Sequence, residues 1–473
     1  MVQKKLINLM LVTAMISFVI CCANIGKIHN SYTLIVFYPL LFAFSAAIIG
    51  SYMKDPNAGG RLTVTFFLAL QWLRCVLLPV TGAMGGYFLD LYDPSGSVDF
   101  LATVLFVYEM ILTTLFCCVL LKYTKRSTPK SDTEYSLLGS NAVYMVYILF
   151  AAALFIRYGR EMYSFLRLSF DEARASSSDR NVILYALIGY GLNFLVIIVV
   201  NYAYKKHQAT NNGKYFWLAL AAVLLRISII SAESESRLSI LYIVFVYLFL
   251  LPRLFPERKK MISRSIVILG LIVIGFLSVY KMFNAYLYGS YSVALEAHSG
   301  KVDLDYIASE INVYFYGVKN IARNIYIANS IHPTYSNIVS DVINNIFPLG
   351  KIIPIKAEQT SALYNLYIYY GNSASGHLFS SLAYGFTYFG VFLAPFSTVF
   401  NIAIAAFFES KLQKTRFIDV YYILGTVFVR CAYTIFACFP MAWNYSTRTL
   451  LIGFLVIGGG TLFSYRKVKD SNS

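Results

Sequence analysis

The sequence predicts an all-α polytopic membrane protein that crosses the bilayer about twelve times, with both chain ends in the cytoplasm. Of its 473 residues, 58% are hydrophobic and only 13% are charged. A soluble chain needs far more polar surface, so this composition excludes an ordinary globular protein. The apolar residues occur in runs of about 20, the length at which a helix spans a bilayer core.

Twelve segments are apolar enough to be spans, and together they make one integral-membrane domain over residues 1–473. They are 6–26, 32–52, 62–82, 99–121, 141–157, 182–204, 215–232, 237–254, 262–282, 378–408, 417–438 and 445–464. The tenth is longer than a span requires, which predicts a tilted or partly re-entrant start. No small-residue cleavage site follows the first segment, so we expect it to be a span rather than a signal peptide.

The basic residues support a topology with the N-terminus and the C-terminus inside. When the N-terminus is placed in the cytoplasm, every inside loop carries Lys or Arg, as between the eighth and ninth spans at 253–264. The outside loop 83–98 holds Asp90 and Asp93 and no basic residue. This is the positive-inside pattern of membrane proteins. Most of the net charge of +16 therefore follows from topology, and nucleic acid is not a predicted partner.

Two outside segments are substantial: an Arg-rich loop at 158–181 and a large loop at 283–377. In the large loop, apolar residues recur every three or four positions over 307–325, which predicts an amphipathic helix. The same spacing over 339–346 predicts a second helix before Pro348. Tyrosine is frequent in this loop, which is typical of surfaces where an apolar region meets water.

The Arg-rich loop interrupts an otherwise poorly charged outer face. From its first to its last arginine it contains no lysine, and its arginines are Arg157, Arg160, Arg167, Arg174 and Arg180. A guanidinium group binds phosphate through a planar fork, whereas an ammonium group acts as a point charge. This pattern predicts that the protein handles an anionic substrate on the outer side of the membrane.

Charged residues inside the spans are costly, so each requires a reason. Arg74 in the third span and Glu109 in the fourth lie at similar depth, which predicts a structural ion pair. The alternative places Arg74 at the floor of a substrate cavity. Arg226, Arg430 and Arg448 lie towards the outer ends of their spans, as a cavity that opens outward requires.

Sequence motifs for nucleotide hydrolysis, metal-centred hydrolysis and serine hydrolysis are absent, and all seven cysteines fall in hydrophobic runs. We therefore expect no cofactor and no metal. Acid–base chemistry on the outer side would fall to the large loop, where His377, Glu310 and Asp341 are the candidates. His377 immediately precedes the tenth span.

The chain resembles the bacterial O-antigen and oligosaccharide repeat-unit polymerases of the Wzy type. The resemblance rests on the span count with a long external loop in the C-terminal half, and on three motifs. These are Ser169-Phe-Asp-Glu-Ala-Arg174, Ser234-Glu-Ser-Arg237 and Tyr384-Gly-Phe-Thr-Tyr-Phe-Gly390. Family members often carry a Glu several residues before that final Gly, and in this chain Tyr384 stands near that position. The resemblance implies a GT-C-like fold in the bacterial inner membrane, with the active site facing the periplasm.

The activity that the resemblance implies is that of a glycosyltransferase. It would polymerise undecaprenyl-pyrophosphate-linked repeat units of O-antigen, capsule or exopolysaccharide, with membrane lipid and a chain-length regulator protein as further candidate partners. Arginine forks would bind the pyrophosphate as ligand and as leaving group. The arginines assigned to this role are Arg174 and Arg237 first, then Arg160, Arg180 and Arg323.

Three other interpretations stay open on the sequence. An O-antigen ligase would use the same donor and a similar site. A lipid-linked oligosaccharide flippase would show evenly spaced helices and a cationic cavity near mid-membrane. A receptor or structural protein would leave the arginine loop unexplained.

Overall fold

The computed structural model of the chain is all-helical in its described part. The backbone is described for residues 2–28, 30–55, 57–85, 96–125, 134–162, 179–233, 237–282, 304–353, 355–368 and 378–471. The helices of the first 282 residues are α1 (Val2–Ala23), α2 (Tyr38–Tyr52), α3 (Arg61–Trp72), α4 (Leu78–Gly85), α5 (Gly96–Tyr123), α6 (Asn141–Met162), α7 (Asp179–Thr210), α8 (Gly213–Glu233), α9 (Arg237–Leu254) and α10 (Lys259–Met282).

The helices of the remaining chain include several short ones before the last long helix. They are α11 (Leu304–Tyr314), α12 (Val318–Ile331), α13 (Tyr335–Asn345), α14 (Leu349–Ile352), α15 (Thr360–Ile368), α16 (Ser381–Leu393), α17 (Phe396–Lys414), α18 (Ile418–Tyr433) and α19 (Phe439–Ser471). A π-helical turn, Leu73–Leu77, joins α3 to α4, and a 3-10 helix, Asn30–Phe37, precedes α2.

The described helices make this a multi-pass membrane protein. Six segments are long and apolar enough to cross a bilayer: Lys5–Ala23, Asn30–Tyr52, Arg61–Gly85, Ser97–Tyr123, Asn141–Tyr158 and Leu187–Thr210. The bent pair of α16 and α17 is a seventh if it is counted as one span. Helices also coincide with the other predicted spans, but the described residues of those helices do not meet the same criteria of length and apolar composition. The count of twelve therefore stays a prediction.

Large apolar side chains on the surface of these helices fit a lipid environment. Phe392 is 82% exposed and Ile156 is 84% exposed. In water such side chains would carry the cost of apolar hydration, and contiguous patches of them would promote association. A surrounding bilayer removes that cost, because lipid chains are as apolar as the side chains they cover.

The chain divides into two compact units. The first contains Met1–Thr128, Gly300–Gln413 and Arg430–Arg448, and the second contains Pro129–Ser299, Lys414–Val429 and Thr449–Ser473. In the first unit, α1, α2 and α5 pack with the helices that follow residue 304 around one apolar core. In the second unit, α6 packs on α7, α7 on α8, and α9 on α10.

The predicted tenth span, 378–408, is a pair of helices that meet at a sharp bend. α16 and α17 are inclined at 114° to one another. Gly390, near the end of α16, has φ 76°, in the left-handed region that favours glycine. Ser381 at the start of α16 then lies 2.9 Å from Ser397 on α17, measured between their Oγ atoms. The bend accounts for the excess length of the predicted span.

We expect Gly385→Ala to destabilise the bent pair. A Cβ atom on Gly385 would overlap the carbonyl group of Ala394, which is backbone and cannot rotate away. Overpacking of this kind costs about 1–3 kcal/mol or more. Thermal unfolding of the purified protein in detergent measures the loss. Gly458→Ala in α19 is the matched control, since open space surrounds its Cβ position, and it should be neutral or slightly stabilising.

The prediction of one amphipathic helix over 307–325 is wrong, because the segment forms two helices, α11 and α12. The break lies at Tyr316, whose φ is 57°, and at Gly317. The Gly317 N–H donates to the Asn312 carbonyl over 2.8 Å, and a side chain at Gly317 would strike Asn312 and Leu78. The second predicted helix, over 339–346, is confirmed as α13, which begins with a capping box between Thr334 and Asn337.

Candidate functional site

The predicted ion pair between Arg74 and Glu109 is present in the first unit. Arg74 Nη2 lies 2.9 Å from Glu109 Oε2, and each side chain is 1% exposed. Arg74 belongs to the π-helical turn between α3 and α4, and Glu109 belongs to α5. A π turn re-aims side chains within a helix and often occurs where a specific contact is needed.

The remaining polar atoms of this pair also have partners. Arg74 Nε donates to the Tyr316 carbonyl over 3.0 Å, and Nη1 donates to Gln71 Oε1 over 3.1 Å. Thr398 Oγ1 donates to Glu109 Oε1 over 2.6 Å. The guanidinium also lies over the rings of Phe106 and Phe436, at 4.4 and 3.8 Å from their centroids. This geometry favours a packing role over the floor of a substrate cavity.

Helix α13 buries its polar face and exposes its apolar face. Its buried side chains are Asn337, Ser340, Asp341 and Asn345. On the opposite face Tyr335 is 73% exposed and Val339 is 50% exposed. This inverts the arrangement of a helix on a soluble protein, where the apolar stripe faces the core. An outward apolar face of this kind suits the interfacial region of a bilayer.

Asp341 is the one candidate base whose side chain the structure describes, and it is enclosed. Its Oδ1 accepts the Thr360 N–H over 2.9 Å, and Oδ2 accepts the hydroxyls of Thr360 over 2.5 Å and Tyr384 over 3.1 Å. The side chain is 1% exposed. Burial raises the pKa of Asp341, and the hydrogen bonds from Thr360 and Tyr384 offset part of that rise.

The Asp341 carboxylate ends a chain of hydrogen bonds with a defined direction. The Thr360 hydroxyl has one proton, which it donates to Asp341 Oδ2. Thr360 Oγ1 also lies 2.5 Å from the Tyr388 hydroxyl. Tyr388 must therefore be the donor in that second bond. The order Tyr388, Thr360, Asp341 is a path along which a proton can move towards the carboxylate.

We expect Asp341 to make stability depend on pH. Its raised pKa means that the folded state holds the proton more tightly than the unfolded state does. The free energy of unfolding therefore falls as the pH rises from the ordinary Asp pKa of about 3.9 through the raised value. Across that window the wild type should lose stability relative to Asp341→Asn, which cannot titrate, as thermal unfolding of the two proteins measures. A stability of the wild type relative to Asp341→Asn that stays constant or rises with pH would contradict the assignment.

A second group of polar side chains surrounds Arg448 on α19. Arg448 is 8% exposed, and its Nη2 donates to Asn444 Oδ1 over 2.9 Å. Its Nε and Nη1 are buried, and no described residue accepts a hydrogen bond from either. Its guanidinium lies over the rings of Tyr445 and Phe347, and Arg430 lies over the same Tyr445 ring at 3.7 Å from its centroid. Two guanidinium groups thus share one aromatic ring.

The Asp341 group and the Arg448 group are joined through the end of α13. Thr447 Oγ1 accepts the Phe347 N–H over 3.0 Å and lies 3.3 Å from the Asn345 carbonyl. The Asn345 side chain in turn donates to the Asp341 carbonyl over 2.8 Å. A basic group and a carboxylate therefore flank one short segment of the first unit.

Arg323, one of the predicted pyrophosphate ligands, lies on a buried face of α12. It is 5% exposed and lies near Tyr364. Burial raises the pKa of Tyr364, and the Arg323 charge lowers it in part. The neighbouring Asn324 donates to the Tyr364 hydroxyl over 2.7 Å and accepts the Ser380 N–H over 2.7 Å. The polar side chains of Arg323 and Asn324 thus face the interior of the unit.

The other predicted site residues lie wholly or partly outside the described residues. Arg174 and His377 lie outside the described residues. The side chains of the remaining four also lie outside them, although their backbones are helical: Arg160 in α6, Arg180 in α7, Arg237 in α9 and Glu310 in α11. Their roles stay predictions.

The sequence did not rank Arg448, Arg430, Thr360 or Tyr388 among the site residues. Arg448 and Arg430 carried a signal, since both are charges within predicted spans. Tyr388 lies within the motif at 384–390 that supports the resemblance. Thr360 carried no signal, because hydroxyl side chains are common at all depths of a membrane protein.

Comparisons of the chain with protein-family models, with curated proteins and with solved structures find no match. The first unit provides two elements from which a function can be inferred. One is the buried guanidinium of Arg448, two of whose nitrogen atoms have no hydrogen-bond acceptor among the described residues. The other is a buried carboxylate at the end of a directed hydroxyl chain.

Proposed function

We propose that the protein is a membrane glycosyltransferase that polymerises polyprenyl-pyrophosphate-linked oligosaccharide repeat units on the outer face of the cytoplasmic membrane. The observation that carries this proposal concerns Arg448, which is 8% exposed. Its Nε and Nη1 find no acceptor among the described residues. Burying such donors without a partner is costly. A phosphate oxygen could accept from either donor, and a pyrophosphate group has enough oxygens to accept from both.

The position of Arg448 supports this role. In the predicted topology it lies near the outer end of the last span, where the lipid-linked substrate would present its pyrophosphate. Arg430 lies beside it over the Tyr445 ring and adds a second positive charge. Arg174 and Arg237, with Arg160, Arg180 and Arg323, remain the proposed further ligands.

The transfer itself requires one nucleophile, one leaving group and one proton acceptor. The acceptor sugar hydroxyl attacks the anomeric carbon of the donor chain, and the bond from that carbon to the pyrophosphate oxygen breaks. The pyrophosphate leaves with the electron pair, and arginine stabilises its growing charge. We propose that the hydroxyl proton passes through Tyr388 and Thr360 to Asp341, with His377 and Glu310 as the other candidates for the base.

A gene-deletion experiment separates this proposal from its rivals. Cells that lack the gene should carry surface polysaccharide of a single repeat unit when it is resolved on a gel. If core without polymer accumulates while polymer builds up on the carrier, the protein is instead a ligase. If lipid-linked units remain trapped inside, it is a flippase. Normal long chains would rule out all three activities.

One observation counts against the flippase among these rivals. A flippase would hold a cationic cavity near mid-membrane, and the sequence leaves open that Arg74 lies at the floor of a substrate cavity. The Arg74 charge is already paired with Glu109, and both side chains are 1% exposed. No described observation separates the polymerase from the ligase, because both would bind the same donor.

A further inference from the structure

The second unit contains a cavity of about 610 Å³ formed by α6, α7 and α8. None of its lining residues is among those assigned to transfer. The lining side chains divide into an apolar set and a polar set, and they are Asn141, Ile198, Val199, Asn201, Tyr202, Lys205, Lys206, Ala209 and Leu218.

The apolar and charged parts of this lining are separated along α7. Ile198 and Val199 lie about 10 Å from Lys205 and Lys206 along the helix, at 1.5 Å per residue. Leu218 on α8 continues the apolar wall. Both lysines are exposed and lie in the last turns of α7. A ligand that fills this cavity must therefore be apolar along one part and anionic at the other.

Asn201 provides an independent indication of a ligand. It lies between the apolar wall and the lysines and is 5% exposed. Its Oδ1 is buried, and no described residue donates a hydrogen bond to it. An amide oxygen accepts hydrogen bonds, so the group that satisfies it must carry a hydroxyl or N–H. Packing alone does not explain a buried acceptor that lacks a donor.

We propose that this cavity binds an anionic phospholipid whose headgroup carries hydroxyl groups, of the phosphatidylglycerol type. Lys205 and Lys206 bind the phosphate, Asn201 Oδ1 accepts a headgroup hydroxyl, and an acyl chain lies along Ile198, Val199 and Leu218. In the predicted topology the lysines belong to an inside loop. Basic pockets between membrane helices on that side bind phospholipid headgroups.

The test measures lipid binding by the full-length protein purified and delipidated in neutral detergent. Dioctanoyl-phosphatidylglycerol should raise the unfolding temperature in a saturable way, since a ligand that binds only the folded state stabilises it. Neutralising both lysines, Lys205→Gln with Lys206→Gln, should weaken the apparent affinity about 30-fold. Native mass spectrometry of the retained lipid gives a second measurement that does not depend on stability.

Controls separate the lipid from other anions and from general charge effects. The matched control is Lys411→Gln with Lys414→Gln, two exposed lysines of α17 that should leave binding unchanged. Asn201→Leu should reduce the preference for phosphatidylglycerol over phosphatidylmethanol, which lacks the headgroup hydroxyls. Equal stabilisation by dioctanoyl-phosphatidylcholine or by inorganic phosphate would overturn the proposal. So would equal weakening by the two lysine pairs.

Discussion

Replacing Glu109 by alanine is expected to destabilise the protein by about 3–5 kcal/mol, because it leaves the Arg74 charge buried without its counter-ion. Arg74 cannot relax towards solvent, since it is 1% exposed and lies between two aromatic rings. Thr398 also loses its acceptor on Glu109. Thermal or denaturant unfolding of the purified protein in detergent measures the loss.

The double variant Arg74→Met with Glu109→Leu shows whether the loss comes from the uncompensated charge. Replacing both ions by apolar residues of similar size is often close to neutral, so at least half of the stability should return. Glu358→Ala is the control, since Glu358 is exposed and should change stability by less than about 0.5 kcal/mol. A Glu109→Ala variant as stable as that control would show that the pair contributes little.

Replacing Arg448 by lysine is expected to lower the rate of polymer formation by about 100- to 1,000-fold. The substitution keeps the positive charge but removes the fork, and loss of one oriented donor to a developing charge typically costs this much. Membranes from cells that carry the variant, supplied with lipid-linked repeat units, allow the rate to be measured against the amount of folded protein.

Arg416→Lys is the matched control for this experiment. Arg416 is exposed and also lies over an aromatic ring, that of Phe417, at 5.3 Å from its centroid. Its replacement should leave polymer length and rate unchanged. Normal long chains in the Arg448→Lys variant would exclude Arg448 as the pyrophosphate ligand. Arg174→Lys would then be the next variant to test, because Arg174 was ranked first on the sequence.

The Arg74–Glu109 pair shows what the sequence of a membrane protein can predict. Hydropathy places each residue at a depth in the bilayer, and the rise of 1.5 Å per residue converts sequence position into height. Two opposite charges at matched depth in consecutive spans are therefore expected to pair, because few other charged partners are available at that depth. The same reasoning predicted the irregular start of the tenth segment, since 31 residues, 378–408, exceed one bilayer thickness.

Helix α13 shows where that reasoning fails. The apolar spacing predicted the helix correctly, but periodicity identifies only which residues share a face. It does not identify what that face contacts, and in this case the polar face is the buried one. The partners of Asp341 are equally hidden in the sequence, because Thr360 and Tyr384 lie 19 and 43 residues further along the chain. Only tertiary packing brings them together.

The segments that form and contact the Arg74–Glu109 pair are synthesised at very different times. Arg74 and Glu109 are 35 residues apart, whereas Thr398 follows Glu109 by 289 residues and Tyr316 follows Arg74 by 242. At about 5–20 residues per second, Thr398 leaves the ribosome roughly 15–60 s after Glu109. During insertion, the third and fourth helices therefore depend on each other for charge compensation. The bent pair is synthesised later, after both members of the ion pair.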